Sequence, residues 1–409
     1  MKTRSRMIGA MVVACAMGFA LSQRAVAVTD QEFNELKTKV NQLMGTSTNA
    51  PASLQPVHPV PGGAISATHN FMVVGDAEIA YAQTEGQHGA FLLSDFAPIF
   101  LFRAGDNVLF EAGFDVALQN QDGGGSSTAV DLSFAQLDYL LNDYLEFVGG
   151  YMVLPLGTYS ERSAGWLNKL PDDPLPRDVL PGTGAGVQLR GSAPVGRSGQ
   201  SVSYSLYVVN GPSSIDGTGN GSQTNGDPNL DLGGNVGVKS DGSTGNVHGR
   251  PSVGGRLGWF GLWKPHYDLE LGVSGQSGDW NDDGNERWSA GVVDATLHLG
   301  ASFEARGEYI RTWQQTEDQG TLEPEGWWVQ AAYKLAGLDL DLPMVNSVEL
   351  VGRYDQKDDG FGPKTKRTTA GVVYHFTATL QGQGAYEFVR ADNPDDDHNQ
   401  WILQLAFGF

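Results

Sequence analysis

FEAGFDVALQ, residues 110–119, alternates along its length. Phe110, Ala112, Phe114, Val116 and Leu118 are apolar, and Glu111, Asp115 and Gln119 interleave with them. A period of two puts each set on its own face of an extended chain, so the stretch reads as a strand with one apolar and one polar side. The pattern returns where Leu269, Leu271 and Val273 interleave with Asp268, Glu270, Gly272 and Ser274, and again over 302–312, 347–355, 379–389 and 400–409.

About sixteen such segments begin near 71, 90, 108, 129, 144, 183, 201, 251, 267, 288, 301, 327, 344, 368, 379 and 398. An even number suits a closed up-and-down barrel. The connections between them alternate in length. Short ones fall at 104–107, 142–143, 193–200, 261–266, 299–300, 336–343 and 377–378. The others, at 84–89, 120–128, 155–182, 211–250, 277–287, 314–326, 356–367 and 391–397, are mostly longer and rich in Gly, Asp, Asn and Ser.

In lipid every backbone N–H and C=O has to be paired, and the β solution is a closed cylinder, apolar outside and free to be polar inside. The expected fold class is therefore an all-β transmembrane antiparallel up-and-down barrel of about sixteen strands, spanning 70–409, with a short N-terminal helix before it. A secreted sandwich would bury its apolar faces against each other and has little use for alternating loop lengths. Trp259, Trp263, Trp280, Trp288, Trp313, Trp327 and Trp328 lie at or near strand ends, as interfacial girdles would place them. The last strand puts Trp401, Leu403, Leu405 and Phe407 on one face and stops on Phe409, which reads as an assembly signal for an outer membrane.

Composition agrees. The chain has 409 residues, 55 Gly, one Cys and a formal net charge of −21, so it is neither a disulfide framework nor a nucleic-acid binder. The only long uncharged apolar stretch is 7–22, so no later helix could span a bilayer. Lys2, Arg4 and Arg6, the apolar run and Ala25-Val26-Ala27 make residues 1–27 a secretory signal, with processing at Cys15 the competing reading. Residues 28–45 place Phe33, Leu36, Val40 and Leu43 at a/d spacing, a short periplasmic coiled coil or a frayed amphipathic turn, and 46–69 form a Pro-rich linker.

The stretches SDFAPIFLFRAGDNVLFEAGFDVAL (94–118), FAQLDYLLNDYLEFVGGYMVLPLGTYSERSAGWLNKLPDDPL (134–175), GVQLRG (186–191) and YSLYVVNGP (204–212) resemble the bacterial outer-membrane porins of the phosphate-selective O/P-like type. The resemblance is good over 90–215, and beyond that only strand patterning and Phe409 carry it. It implies a usually homotrimeric, water-filled pore for small hydrophilic solutes, surrounded by outer-membrane lipid and lipopolysaccharide, without enzymatic activity or cofactor.

Anion-selective members of that group line the pore with Lys and Arg. Here the polar faces carry Glu111, Asp115, Glu146, Asp268, Glu270, Asp294, Glu304, Glu308, Glu349 and Glu387 against Arg190, Arg306, Lys334 and Arg353. Fixed charge in a narrow tube concentrates counter-ions, so the expected preference is weakly for cations. The third outer loop, 155–182, is expected to fold inward as a constriction, with Glu161, Arg162, Lys169, Asp172, Asp173, Arg177 and Asp178 setting a field across it. Its prolines and Trp166, Leu167, Leu170 and Leu175 point to packing; a solvated outer loop is the alternative. An adhesive or structural barrel with a blocked lumen also remains open. Asp279, Asn281, Asp283 and Gly284 begin like a calcium loop, but Ala290 stands where its last acid belongs, so no metal site is assigned.

Overall fold

A computed structural model describes residues 70–409 apart from 122–124, 160–163, 197–198, 213–248, 281–283, 317–319, 341, 361–363 and 394–396. The expected signal, coil and linker, together with Glu161, Arg162, Asn281 and Asp283, lie outside the described residues.

Seventeen strands follow one another: Phe71–Thr84 (β1), Ala90–Arg103 (β2), Val108–Gln121 (β3), Gly125–Asn142 (β4), Leu145–Val153 (β5), Thr183–Pro194 (β6), Gln200–Val209 (β7), Ser252–Lys264 (β8), Tyr267–Asp279 (β9), Arg287–Leu299 (β10), Phe303–Thr316 (β11), Gly320–Leu322 (β12), Glu325–Lys334 (β13), Val348–Asp358 (β14), Thr365–His375 (β15), Leu380–Ala391 (β16) and His398–Gly408 (β17). β12 only extends the hairpin above β11, pairing Gln314 with Leu322. The other sixteen form the wall. Each pairs antiparallel with the next, and β17 pairs with β1 from Asp76–Gly408 to Thr84–Gln400, so the sheet has no free edge.

Side-chain alternation sorts the two faces. On β14, Glu349, Val351, Arg353 and Asp355 are buried on the inside, while Leu350 faces out, 46% exposed. Outward positions of β1–β3 and the C-terminus carry a phenylalanine cluster: Phe71 stacks on Phe100, Phe100 meets Phe114 edge-on, and Phe96 stacks on Phe409. An unsheltered apolar surface of this extent, wrapped around a polar interior, belongs in a lipid bilayer.

Several boundaries differ from the sequence reading. β4 starts at Gly125, which pairs with Gln121, so only 122–124 separate β3 from β4 where a connection over 120–128 was expected. β14 starts at Val348, because Pro343 opens a helical turn over Pro343–Asn346 before the chain extends. That makes the connection after β13 one of the longer ones on the side expected to have short turns. β15 starts earlier than expected, at Thr365, which brings Arg367 into the wall.

The tryptophan girdle is only partly present. Trp263, Trp313 and Trp327 are exposed outside, and Trp259 shares the outward register of β8, but Trp280, Trp288 and Trp328 are buried on the inner side. The parity of a strand decides this. Trp327 and Trp328 are neighbours, so they must point to opposite faces.

Candidate functional site: the lumen and its inner loop

Between β5 and β6 the described residues of the segment 154–182 lie against the inner face of the barrel, attached at a series of points. At its start, Glu308 of β11 accepts hydrogen bonds from the amides of Thr158 (2.6 Å) and Tyr159 (2.9 Å), and from the Trp328 indole at 3.2 Å. Ser274 of β9 accepts from the Gly157 amide at 2.9 Å. Deeper in, the Gly165 amide donates to Asp76 of β1 at 3.0 Å, and the Gln381 and Gln383 amides of β16 donate to the carbonyls of Gly165 and Asn168. These wall groups satisfy loop backbone that would otherwise lack partners, which is what a loop away from bulk water needs.

The loop's side chains then meet the wall's charges. Lys169 Nζ lies 2.6 Å from Glu349 on β14 and 2.9 Å from Glu304 on β11. Arg353 donates to the Asp172 carbonyl at 2.7 Å and to that of Asp173 at 3.2 Å, while its Nε bonds Asp355 at 3.0 Å. Arg367 of β15 reaches the Asp173 carbonyl, Asp355, Glu387 and the Asp172 carboxylate. Asp173 accepts from the Tyr159 hydroxyl at 2.7 Å and pairs with Arg177 at 2.5 Å, and Asp178 pairs with Lys357 at 2.7 Å. Arg177 and Arg306 both lie over the Tyr159 ring, 5.7 and 5.8 Å from its centre, and Arg306 also covers Trp328. Burial, with the Glu387 carboxylate beside it, pushes Asp172 up to about 7, against the pull of Arg367.

Apolar knobs complete the fit. Each lands on an inward glycine: a Cβ on Gly408 would fall 2.6 Å from the Trp166 ring, one on Gly371 2.3 Å from Leu170, and one on Gly326 2.7 Å from Pro176. Those three strands leave space where the loop fills it. Leu167, expected to pack, is instead 48% exposed.

The charges therefore arrange differently from the simple expectation. Lys169, Asp172, Asp173, Arg177 and Asp178 do not face one another across open water; most are matched to Glu304, Glu349, Arg367, Tyr159 and Lys357. Other expected wall residues form separate groups. Arg190 pairs with Glu146 (2.8 Å) and Asp138 (3.7 Å), near Glu111. Asp268 meets His298 at 2.7 Å. Glu270 and Asp115 lie on the inner faces of β9 and β3, and Lys334 on that of β13.

Sequence reasoning missed several inward charges. Arg256 holds Asp294 through both guanidinium nitrogens, at 2.5 and 2.7 Å. Asp76, Glu78 and Asp95 on β1 and β2 join Asp115 as a carboxylate strip; among the described residues none of the four has a base within 4.0 Å. The parity of β14 and β8 was enough to find Asp355 and Arg256. Asp95 was hidden by the irregular pairing of β1 with β2 between Glu78 and Ile79. The Asp279 carboxylate, first of the calcium-like run, pairs with Arg250 at 3.1 Å.

A sixteen-strand closed barrel with a loop laid along its inner wall invites comparison with solved structures. The anion-selective porin from Comamonas acidovorans aligns with a TM-score of 0.53 at 11% identity, covering 83% of this chain and 99% of that one. The fold is that of the outer-membrane porins. OmpF of Salmonella typhi, in complex with daunomycin, gives 0.52 at 13% identity over 83% of this chain and 98% of its own. The outer membrane channel DcaP of Acinetobacter baumannii gives 0.50 at 11% identity over 83% and 97%. No family model and no curated protein sequence matches the chain. At this identity the porin likeness carries architecture, and selectivity has to be argued from the wall itself.

Proposed function

We propose that this protein is a bacterial outer-membrane porin: a water-filled channel through which small hydrophilic solutes and ions diffuse passively, with a weak preference for cations and the segment 155–182 as its constriction. Sixteen strands enclose a lumen wider than side chains alone fill. The inner loop narrows it, with most of its ionic contacts to β11 and β13–β17 and an apolar cluster of Leu154, Leu156, Val179 and Leu180 with Tyr207, Trp288 and Val292.

The observation that carries the cation preference is the asymmetry of charge matching. Lys169, Arg256, Arg353 and Arg367 each lie against carboxylates. Among the described residues, Asp76, Glu78, Asp95 and Asp115 have no base within 4.0 Å. Among the described residues the inward carboxylates are the groups left without an opposite charge beside them, and a confined low-dielectric passage magnifies the effect of such charge on counter-ions. The resemblance to phosphate-selective porins does not extend to this wall, so phosphate selectivity is not part of the reading.

The remaining assignments follow the same reading. The protein works as a homotrimer in lipid and lipopolysaccharide, residues 1–27 are removed on export, and Phe409 serves assembly. In the barrel Phe409 closes β17 on β1: its amide donates to Gly75 at 2.9 Å and its carbonyl accepts from Gly75 at 3.0 Å. Reversal potentials in a salt gradient test the channel and its preference together. Neutralising Asp95 and Asp115 to Asn is expected to move the reversal potential toward anions, and an unchanged value would count against the carboxylate strip.

A further inference from the structure

Lys366 and Arg390 oppose each other directly across β15 and β16, and both occupy outward positions. Directly opposed residues of an antiparallel pair hold their Cβ atoms about 4.5–5.5 Å apart, and like charges there destabilise the sheet. In so acidic a chain, an outward pair of cations needs a reason.

Among the described residues the surroundings supply little compensation. Among the described residues no carboxylate lies within 4.0 Å of Lys366, which is exposed. Arg390 reaches Asp397 at only 3.8 Å, and its Nη1 donates to the carbonyls of Val389 and His398, leaving the side chain 48% exposed. The nearby acids Asp358 and Glu325 turn instead to Lys364 and Arg311.

The position along the strands is telling. The cross-strand row runs Tyr309, Trp327, Gln356, Lys366, Arg390, with Thr368 and Phe388 opposed one outward step further from the loops. Two aromatic residues lead into two cations, on the lipid-facing side, at the end of the strands that carries the loops 359–364 and 392–397. An aromatic belt marks where hydrocarbon gives way to headgroups. Cations at that level meet anionic headgroups rather than acyl chains.

We infer that Lys366 and Arg390 form a clamp for a phosphate group of lipopolysaccharide in the outer leaflet. An arginine and a lysine side by side offer charge-assisted hydrogen bonds to phosphate oxygens, and a shared dianion removes the repulsion between them. The clamp lies on the outer surface, so it holds whether or not the lumen conducts.

The test uses the full-length protein, purified and shown to be folded by heat-modifiable gel migration, with binding read by native mass spectrometry and by retention on phosphatidylcholine vesicles containing deep-rough lipopolysaccharide. K366Q/R390Q is expected to weaken retention by about thirtyfold. K264Q, a cation at the opposite end of the barrel, is expected to bind as wild type, and channel conductance is expected to be unchanged in the double variant. Dephosphorylated lipid A is expected to bind the wild type as weakly as phosphorylated lipid binds K366Q/R390Q. Equal retention by wild type and double variant, or equal binding of the dephosphorylated lipid, would overturn the proposal. So would competition by millimolar inorganic phosphate, which would make this a free-anion site, and so would equal retention on phosphatidylglycerol vesicles.

Discussion

Lys169 Nζ sits 2.6 Å from Glu349 Oε1 and 2.9 Å from Glu304 Oε2, so one loop ammonium joins two carboxylates on wall strands that are not neighbours. Glu349 also accepts a hydrogen bond from His375 Nε2 at 3.0 Å. Lysine and both acids are largely shielded from water, where a broken pair is expensive. Removing one partner of a buried pair costs roughly 3–5 kcal/mol.

Lys169→Met is therefore expected to lower the thermal midpoint and raise single-channel conductance as the loop loosens. Lys169→Met with Glu349→Gln should recover part of the stability, since only Glu304 of the two carboxylates then lacks its lysine. A double variant no more stable than the single one would show that the pair does not hold the loop.

The glycine sockets give a prediction free of charge effects. Gly371→Leu leaves Leu170 without its space and is expected to cost about 1–3 kcal/mol by overpacking. It should also change conductance. Gly352→Leu, on the same sheet but with nothing within 4 Å of an added Cβ, should do neither. Equal effects from both would remove the docking account of 164–176.

Asp172 sets a pH dependence. Its folded value of about 7 lies above the ordinary carboxylate value of 3.8, so the folded protein binds more protons at this position than the unfolded chain. Its contribution to stability is present at low pH and declines as pH rises from about 4 to about 7. Thermal midpoints measured across that window are expected to fall for the wild type and to fall less for Asp172→Asn. Parallel curves would contradict the assignment.

Asp172→Asn together with Asp173→Asn tests the loop's place in the channel. Asp173 carries the Tyr159 and Arg177 contacts, so its loss frees a cation inside the lumen. Conductance or ion selectivity is expected to change, with selectivity moving toward anions. No change in either would mean that the loop lies off the permeation path.

The barrel was legible in the sequence because period-two patterning is local: the strands begin within a few residues of their expected places, from Phe71 to His398. Parity also assigned Glu111, Glu304, Glu308, Glu349 and Arg353 to the inner face. The partners of those residues were not legible. That Lys169 meets Glu349, or that Arg367 gathers Asp355, Glu387 and the Asp172–Asp173 backbone, depends on where a long loop comes to rest across the lumen. Hydrophobic periodicity holds no information about that. The inward Trp280, Trp288 and Trp328 failed for a related reason: closeness to a strand end suggested a girdle, while the face each residue occupies decided otherwise.

The most direct test of the central claim is single-channel recording of the purified protein in a planar bilayer under a potassium chloride gradient. The account predicts discrete open-channel steps and a reversal potential of the sign expected for mild potassium preference. Absence of conductance, or a clear chloride preference, would contradict it.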